Sequence, residues 1–153
     1  MKKKPNIPKQ IVNRRAKHDY ELDDSLVVGL ELTGAEVKAL RMGHGHLRGS
    51  YVTVKDNQLW LLNATITGSN SAPLTDEQKV RTRRLLAKRK EIDAFISAKQ
   101  QGRSIVPLQL LTGGRYIKLR MAGGRGKKLH DKRASLKEHD EKRAMSAAIK
   151  AMR

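Results

Sequence analysis

Positive charge in this chain comes in three blocks, and they leave only one stretch that can fold around a core. Residues 1–18 hold seven Lys/Arg and no acid, residues 79–90 again seven and none, and residues 123–153 ten against four, which together carry +20. Everything else is close to neutral at −2, so the whole-chain excess of +18 is segregated rather than spread. Leu, Ile, Val and Phe run the opposite way, with 29 of them in residues 19–122 and only 6 in the 49 residues outside. An apolar share that low, combined with high net charge, cannot offset ordering entropy by burial. The expectation is a folded middle over 13–122, a disordered basic N-terminal extension over 1–12 and an intrinsically disordered basic tail over 123–153. So much cation also points to a polyanionic partner.

Composition then narrows the chemistry. Aromatics are 3% of the chain, so a core must be built from Leu, Val and Ile. No cysteine is present, which excludes a disulfide framework, a thiol nucleophile and a Cys-ligated zinc site, and fits a reducing, cytoplasmic setting. No apolar run approaches the roughly 20 residues of a membrane helix, and Met1-Lys2-Lys3-Lys4 leads into no signal core.

Local patterns indicate a mainly β fold with two or three helices. Leu26, Val28, Leu30 and Leu32 alternate with Val27, Gly29 and Glu31 as a strand with one buried face. Thr33-Gly34-Ala35-Glu36 has the form of a capping box opening a helix to about Met42. Tyr51–Lys55 and Gln58–Ile66 form a hairpin about Asp56-Asn57, residues that tolerate left-handed backbone. Residues 67–78 are a loop. Leu85, Ile92, Phe95 and Ile96 recur at helical spacing, predicting a helix from near Arg81 to Gln101, and a second strand pair over 105–112 and 116–121 turns at Gly113-Gly114. Five or six short strands with no strand-helix-strand rhythm fit a small antiparallel barrel, which leaves no open edge.

Three constellations remain as candidate sites. On a helix from Arg81, Leu86 lies about 100° off the buried stripe, among Arg83, Arg89 and Lys90. It either packs on a base or ribose while the cations meet phosphates, or belongs to a merely wide apolar face. Asn13-Arg14-Arg15-Ala16-Lys17-His18-Asp19-Tyr20 sets a basic cluster beside a ring able to stack, although such a run is also an ordinary solvated one. Gly123-Gly124-Arg125-Gly126-Lys127-Lys128 misses the Walker pattern, since Lys128 stands where Ser or Thr is needed, and reads as a hinge. Beyond it, Ser135 and Glu138 form a second capping-box pattern, and a thin stripe of Met145, Ile149 and Met152 suits a segment that turns helical on meeting a partner. That stripe lacks the aromatic anchors of a membrane-surface helix. His44 and His46 have no carboxylates near them to make a metal site, and no acid pair, nucleophile or base is placed for catalysis. The expectation is a binding protein without cofactor and without enzymatic activity.

Four of these motifs, in order and at their spacing, resemble the SmpB or SsrA-binding protein family, the partners of transfer-messenger RNA in bacteria: Asn13 to Tyr20, Gly34-Ala35-Glu36-Val37-Lys38-Ala39-Leu40-Arg41, Arg81-Thr82-Arg83-Arg84-Leu85-Leu86 with Glu91-Ile92, and Gly126-Lys127-Lys128-Leu129-His130-Asp131-Lys132-Arg133. The resemblance covers nearly the whole chain from Asn13. It implies an oligonucleotide-binding (OB)-type barrel, acting as a monomer, that grips the tRNA-like domain of transfer-messenger RNA and delivers it to stalled ribosomes. By the same resemblance, RNA contacts fall on Asn13, Arg14, Arg15, Lys17, His18, Arg81, Arg83, Arg84, Leu86, Lys88 and Arg89. The tail residues Gly126, Lys127, Lys128, His130, Asp131, Lys132 and Arg133 then enter the empty messenger channel of the ribosome as a helix, with His130 where the family places a ring near the decoding centre. Val27, Lys79 and Lys88 depart from the family pattern: Val27 stands where some members carry an acid implicated in RNA contact, Lys79 where a proline is common, and Lys88 in place of a neutral polar residue. The rival reading is a general RNA-binding or ribosomal barrel protein, which shares the charge but needs no specific tail.

Overall fold

A computed structural model describes residues 10–152, except for the side chains of Leu129 and Asp131. The chain opens with β1 (Ile11–Val12) and a single turn of helix, α1 (Ala16–Asp19), then runs into the long strand β2 (Tyr20–Leu30). Helix α2 (Gly34–Arg41) follows, with β3 (Gly45–His46), β4 (Tyr51–Lys55), β5 (Gln58–Leu62) and β6 (Thr65–Ile66) behind it. The rest is α3 (Asp76–Lys79), β7 (Arg83–Leu86), α4 (Arg89–Gln100), β8 (Ser104–Leu111), β9 (Lys118–Gly126) and α5 (Leu129–Ala151).

Seven strands form one antiparallel sheet in the order β1-β8-β4-β5-β7-β2-β9, and β8 also pairs with β9. The pairings therefore return on themselves through six strands, and β1 adds to β8 from outside the circuit; β3 and β6 make a separate two-stranded ribbon. The circuit encloses an aliphatic core in which Leu59, Leu61, Leu85, Leu119 and Met121 are fully buried, with Phe95 as the one aromatic contributor. Alternation decides which side chains enter it: Val28 and Leu30 of β2 point in, as do Leu59 and Leu61 of β5. Pro107 sits beside the register shift between β8 and β9, a place in a ladder that tolerates a residue without an N–H donor.

Turn and cap chemistry behaves as the residues dictate. Asp56 and Asn57 both adopt positive φ, 52° and 57°, as a two-residue hairpin with native twist requires. Thr33 Oγ1 accepts from Glu36 N–H while the Glu36 carboxylate accepts from Thr33 N–H, completing the capping box that starts α2.

Several expectations are corrected. The helix expected from Arg81 begins only at Arg89, because Arg83–Leu86 pairs with both β5 and β2 and is drawn into the sheet. The hairpin strand expected to reach Ile66 breaks at Asn63, which has φ of 59°, and restarts as β6. The loop over 67–78 contains a capped turn at its end, α3, with Thr75 and Gln78 bonded reciprocally. Order begins earlier than the expected boundary at residue 13, since Ile11 is buried and pairs with Leu110; residues 1–9 of that expected extension lie outside the described residues. It also ends later than Ala122, since Gly123, Gly124 and Gly126 are ladder residues of β9. The tail expected to be disordered is a 23-residue helix from Leu129, built from Ala, Lys, Glu and Arg with an i,i+4 ion pair between Lys142 Nζ and Glu138 at 2.9 Å. Ser135 lies inside that helix, so its capping-box pattern caps nothing; Lys128 holds the N-cap.

Candidate nucleic-acid interface

The basic motif around residue 83 divides by strand alternation into a buried half and a surface half. Arg83 and Leu85 point into the core, whereas Arg84 and Leu86 point out. Arg83 is 0% exposed, beside a Glu36 that is 1% exposed. A guanidinium has five N–H groups, and here all are taken: Nε donates to Glu36 Oε1 at 3.2 Å, Nη1 to the carbonyls of Ala64 and Arg81, and Nη2 to those of Gln78 and Lys79. Arg81 closes on the same carboxylate as a fork, Nε to Oε1 at 2.6 Å and Nη2 to Oε2 at 2.8 Å. Burial alone pushes the Glu36 carboxyl up, but the Arg81 and Thr33 hydrogen bonds and the charges of Arg83 and Arg81 outweigh it and hold the group below its ordinary value. Arg83 is therefore corrected from an RNA contact to a structural cation that ties α2, the turn before β6 and the end of α3 to the sheet. Arg81 is half-buried and largely spent on the same task.

Leu86 is 51% exposed. It escapes the core by strand alternation rather than by its angle on a helix. Its backbone pairs with Gly29, which pairs on its other side with Lys118 of β9, so the three residues lie abreast across β7, β2 and β9. A methyl on Gly29 would stand 3.0 Å from Leu86 Cβ; glycine there lets the Leu86 side chain lie across β2. Val27, Gln58, Arg84 and Lys88 join Leu86 and Lys118 around a shallow groove of about 400 Å³. Arg84 Nη2 donates to Gln58 Oε1 at 3.2 Å, and Arg89, the first residue of α4, makes an exposed ion pair with Asp93 that little energy holds in place. The groove thus offers an apolar centre ringed by solvent-facing cations, the form that meets a base or ribose and its phosphates together. Lys118 and Gln58 escaped sequence reasoning because only the register brings them beside Leu86.

The second basic motif and the root of the tail converge on Asp19. Its carboxylate receives His18 Nδ1 at 2.9 Å, Arg15 Nε at 3.5 Å and Lys132 Nζ at 3.5 Å, while its backbone carbonyl accepts from Lys127 N–H at 2.8 Å. The His18 hydrogen bond, with the Arg15 and Lys132 charges, holds the Asp19 carboxyl below its ordinary value against a smaller desolvation penalty. Lys127 Nζ reaches the Lys17 carbonyl at 2.9 Å and Ser135 Oγ at 3.0 Å. Asn13 commits its side-chain amide to the Pro107 carbonyl at 2.9 Å; Arg14, Arg15 and Lys17 face solvent. Gly126 pairs with Tyr20 as the last residue of β9, and His130 and Arg133 are exposed on α5. The Asp131 side chain lies outside the described residues. From Leu136 to Met152 every residue is exposed, Met145, Ile149 and Met152 included, so the helix leaves the globule after its first two turns. Among the described residues no cluster of His, Asp or Glu is placed to hold a metal.

The model of the SmpB protein family matches residues 10–151, from β1 to the end of α5. The chain belongs to the SmpB family. Among curated proteins it is similar to the SsrA-binding protein of a Nostoc species, 41% identical over 140 residues that cover 90% of each chain, and to that of a Chelativorans species, 40% identical over 152 residues and 98% of each. Among solved structures, a chain of "tmRNA-SmpB: a journey to the center of the bacterial ribosome" superposes with a TM-score of 0.65 at 34% identity, covering 78% of this chain and 85% of that one. The SmpB match takes in the Leu86 groove, the Asp19 junction and the projecting helix alike.

Proposed function

We propose that this chain is a non-catalytic adaptor of trans-translation in the cytoplasm: it binds the tRNA-like domain of transfer-messenger RNA, carries it to stalled ribosomes, and lays its C-terminal helix along the vacant messenger channel. The observation that carries this reading is the family match from residue 10 to residue 151, because it embraces the globule and the tail as one unit. The closed circuit of antiparallel pairings supports an OB-like barrel as the RNA-gripping body. Leu86, Arg84, Lys88 and Arg89 are the side chains best presented to a folded RNA, with Lys118 added to the set. Arg14, Arg15, Lys17 and His18 form a second basic surface beside the tail root. Lys88, the departure within the Leu86 groove, adds a phosphate contact where a hydrogen-bonding side chain is common in the family. From Gly126 to Arg133 the tail serves first to fix the direction in which α5 departs, and His130 faces outward for the ribosome.

A gel-shift comparison tests the RNA half. A tRNA-like RNA with an elbow binds more tightly than unstructured RNA of equal length, and the preference survives moderate salt, because shape rather than charge alone is recognised. Equal affinities would instead support a general RNA-binding protein.

A further inference from the structure

A larger groove, about 700 Å³, lies between β4, the end of α4 and the start of β8. It falls within the roughly 300–1,000 Å³ of small-ligand sites. In the circuit of pairings β8 and β4 stand opposite β7 and β2, so this groove faces away from Leu86. Its wall carries Arg48, Lys99 and Arg103, with Arg15 at one end and the ring of Tyr51. Arg48 is exposed and has no hydrogen-bond or ion-pair partner among the described residues; Lys99 Nζ donates only to Thr53 Oγ1 at 3.1 Å. Arg103 gives Nη1 to Asp23, while its buried Nε–H meets no acceptor among the described residues, which leaves a cationic head partly unsatisfied. Among the described residues the one acid lining the groove, Asp19, is already met by His18, Arg15 and Lys132, so the local field stays positive. Tyr51 opens β4 with its side chain on the outer face, 47% exposed, while Val52 takes the inward position.

Free cations beside an exposed ring are the parts of a single-strand site, in which the ring stacks a base and the cations take the flanking phosphates. An acidic peptide would use the cations and leave the ring without a task. We propose that this groove is a second nucleic-acid site, one that takes a single-stranded nucleotide: the base on Tyr51 and the phosphodiester between Arg48 and Lys99. It goes beyond the adaptor reading and does not depend on it, since no folded RNA is required.

Fluorescence anisotropy of the full chain with 5′-fluorescein-labelled hexa-adenylate tests the proposal. Tyr51→Leu weakens binding between about fivefold and a hundredfold, the range of one lost base stack, while Tyr51→Phe retains it and guards against misreading a folding defect. Arg48→Ala with Lys99→Ala lowers the slope of log affinity against log salt by roughly 0.7, the value of the one phosphate contact on a single strand that the two share. No binding by the parent chain overturns the proposal, and so does an affinity indifferent to the Tyr51→Leu and double variants, which would assign the hexamer to the tail's general charge. Displacement of the probe by hexaglutamate as readily as by unlabelled hexa-adenylate also overturns it. Repeating the elbowed-RNA gel shift on these variants separates the two readings, because either can fail while the other stands.

Discussion

Arg83 and Leu86, three residues apart in one strand, have opposite assignments, and each makes a prediction. Removing Arg83 leaves a buried carboxylate with one cation where it had two, and strips the buried Ala64 carbonyl and three part-buried ones of their donor. Breaking a buried pair in this way costs about 3–5 kcal/mol, so Arg83→Met lowers the urea midpoint steeply. An unchanged midpoint would mean that Glu36 is not held as the geometry indicates. Since the folded-state pKa of Glu36 lies below its unfolded value, its contribution is fully present above the ordinary glutamate value of about 4.3. That contribution is lost as pH falls through the depressed folded value. Glu36→Gln removes this part of the acid sensitivity, which urea titrations at pH 7 and pH 3 read directly. Leu86→Ala does the reverse of Arg83→Met: stability moves by less than about 0.5 kcal/mol, as for an ordinary surface change, while affinity for a tRNA-like RNA falls. A stability loss of several kcal/mol, the scale of a buried leucine deletion, would place Leu86 in the core instead.

At the scale of elements, the Asp19 junction sets where α5 begins and which way it leaves. Its first turns are tied to the globule through Lys127 and Lys132, whereas the residues from 137 onward rest on helix propensity and their own ladder. Amide hydrogen exchange therefore finds protection stepping down along the helix. Asp19→Asn speeds exchange over 129–136 by a few fold, the scale of exposed ion pairs, and leaves β2 and β9 unaffected. Uniform exchange along α5, indifferent to the substitution, would remove the junction from the account. Elements were legible where local chemistry decides them: the Asp56-Asn57 turn and the Thr33-Glu36 box each need only their own neighbours. They were illegible where pairing overrides pattern. Residues 83–86 fit a helical period because Leu85 and Ile92 are seven apart, yet β5 and β2 claim the segment as a strand. The same holds for the site, where Leu86 stood out among its cations but Lys118 and Gln58 reach it only through register. Glu36 showed its role as a cap, and nothing local announced that it also neutralises two arginines. The tail's composition signalled helix propensity and low burial correctly, but gave no means of weighing one against the other.

At the scale of the molecule, the segregated charge corresponds to separate surfaces: a Leu86 face on the β7 and β2 side, a basic cluster at the tail root, and a helix that the globule does not cover. The globule buries its core without α5, so it is expected to stand alone, provided the cut respects β9. Ending the chain at Ala122 would remove Gly123, Gly124 and Gly126, whose partners are Ile105, Tyr20, Leu22 and Ser104; ending it at Gly126 keeps the circuit whole. The division of labour between globule and tail is the central claim, and a chain truncated after Gly126 tests it in a single comparison with the full chain. The truncated chain should hold transfer-messenger RNA nearly as tightly as the full chain does and support no tagging of peptides on stalled ribosomes. Tagging that persists without α5, or RNA affinity that vanishes with it, would contradict the account.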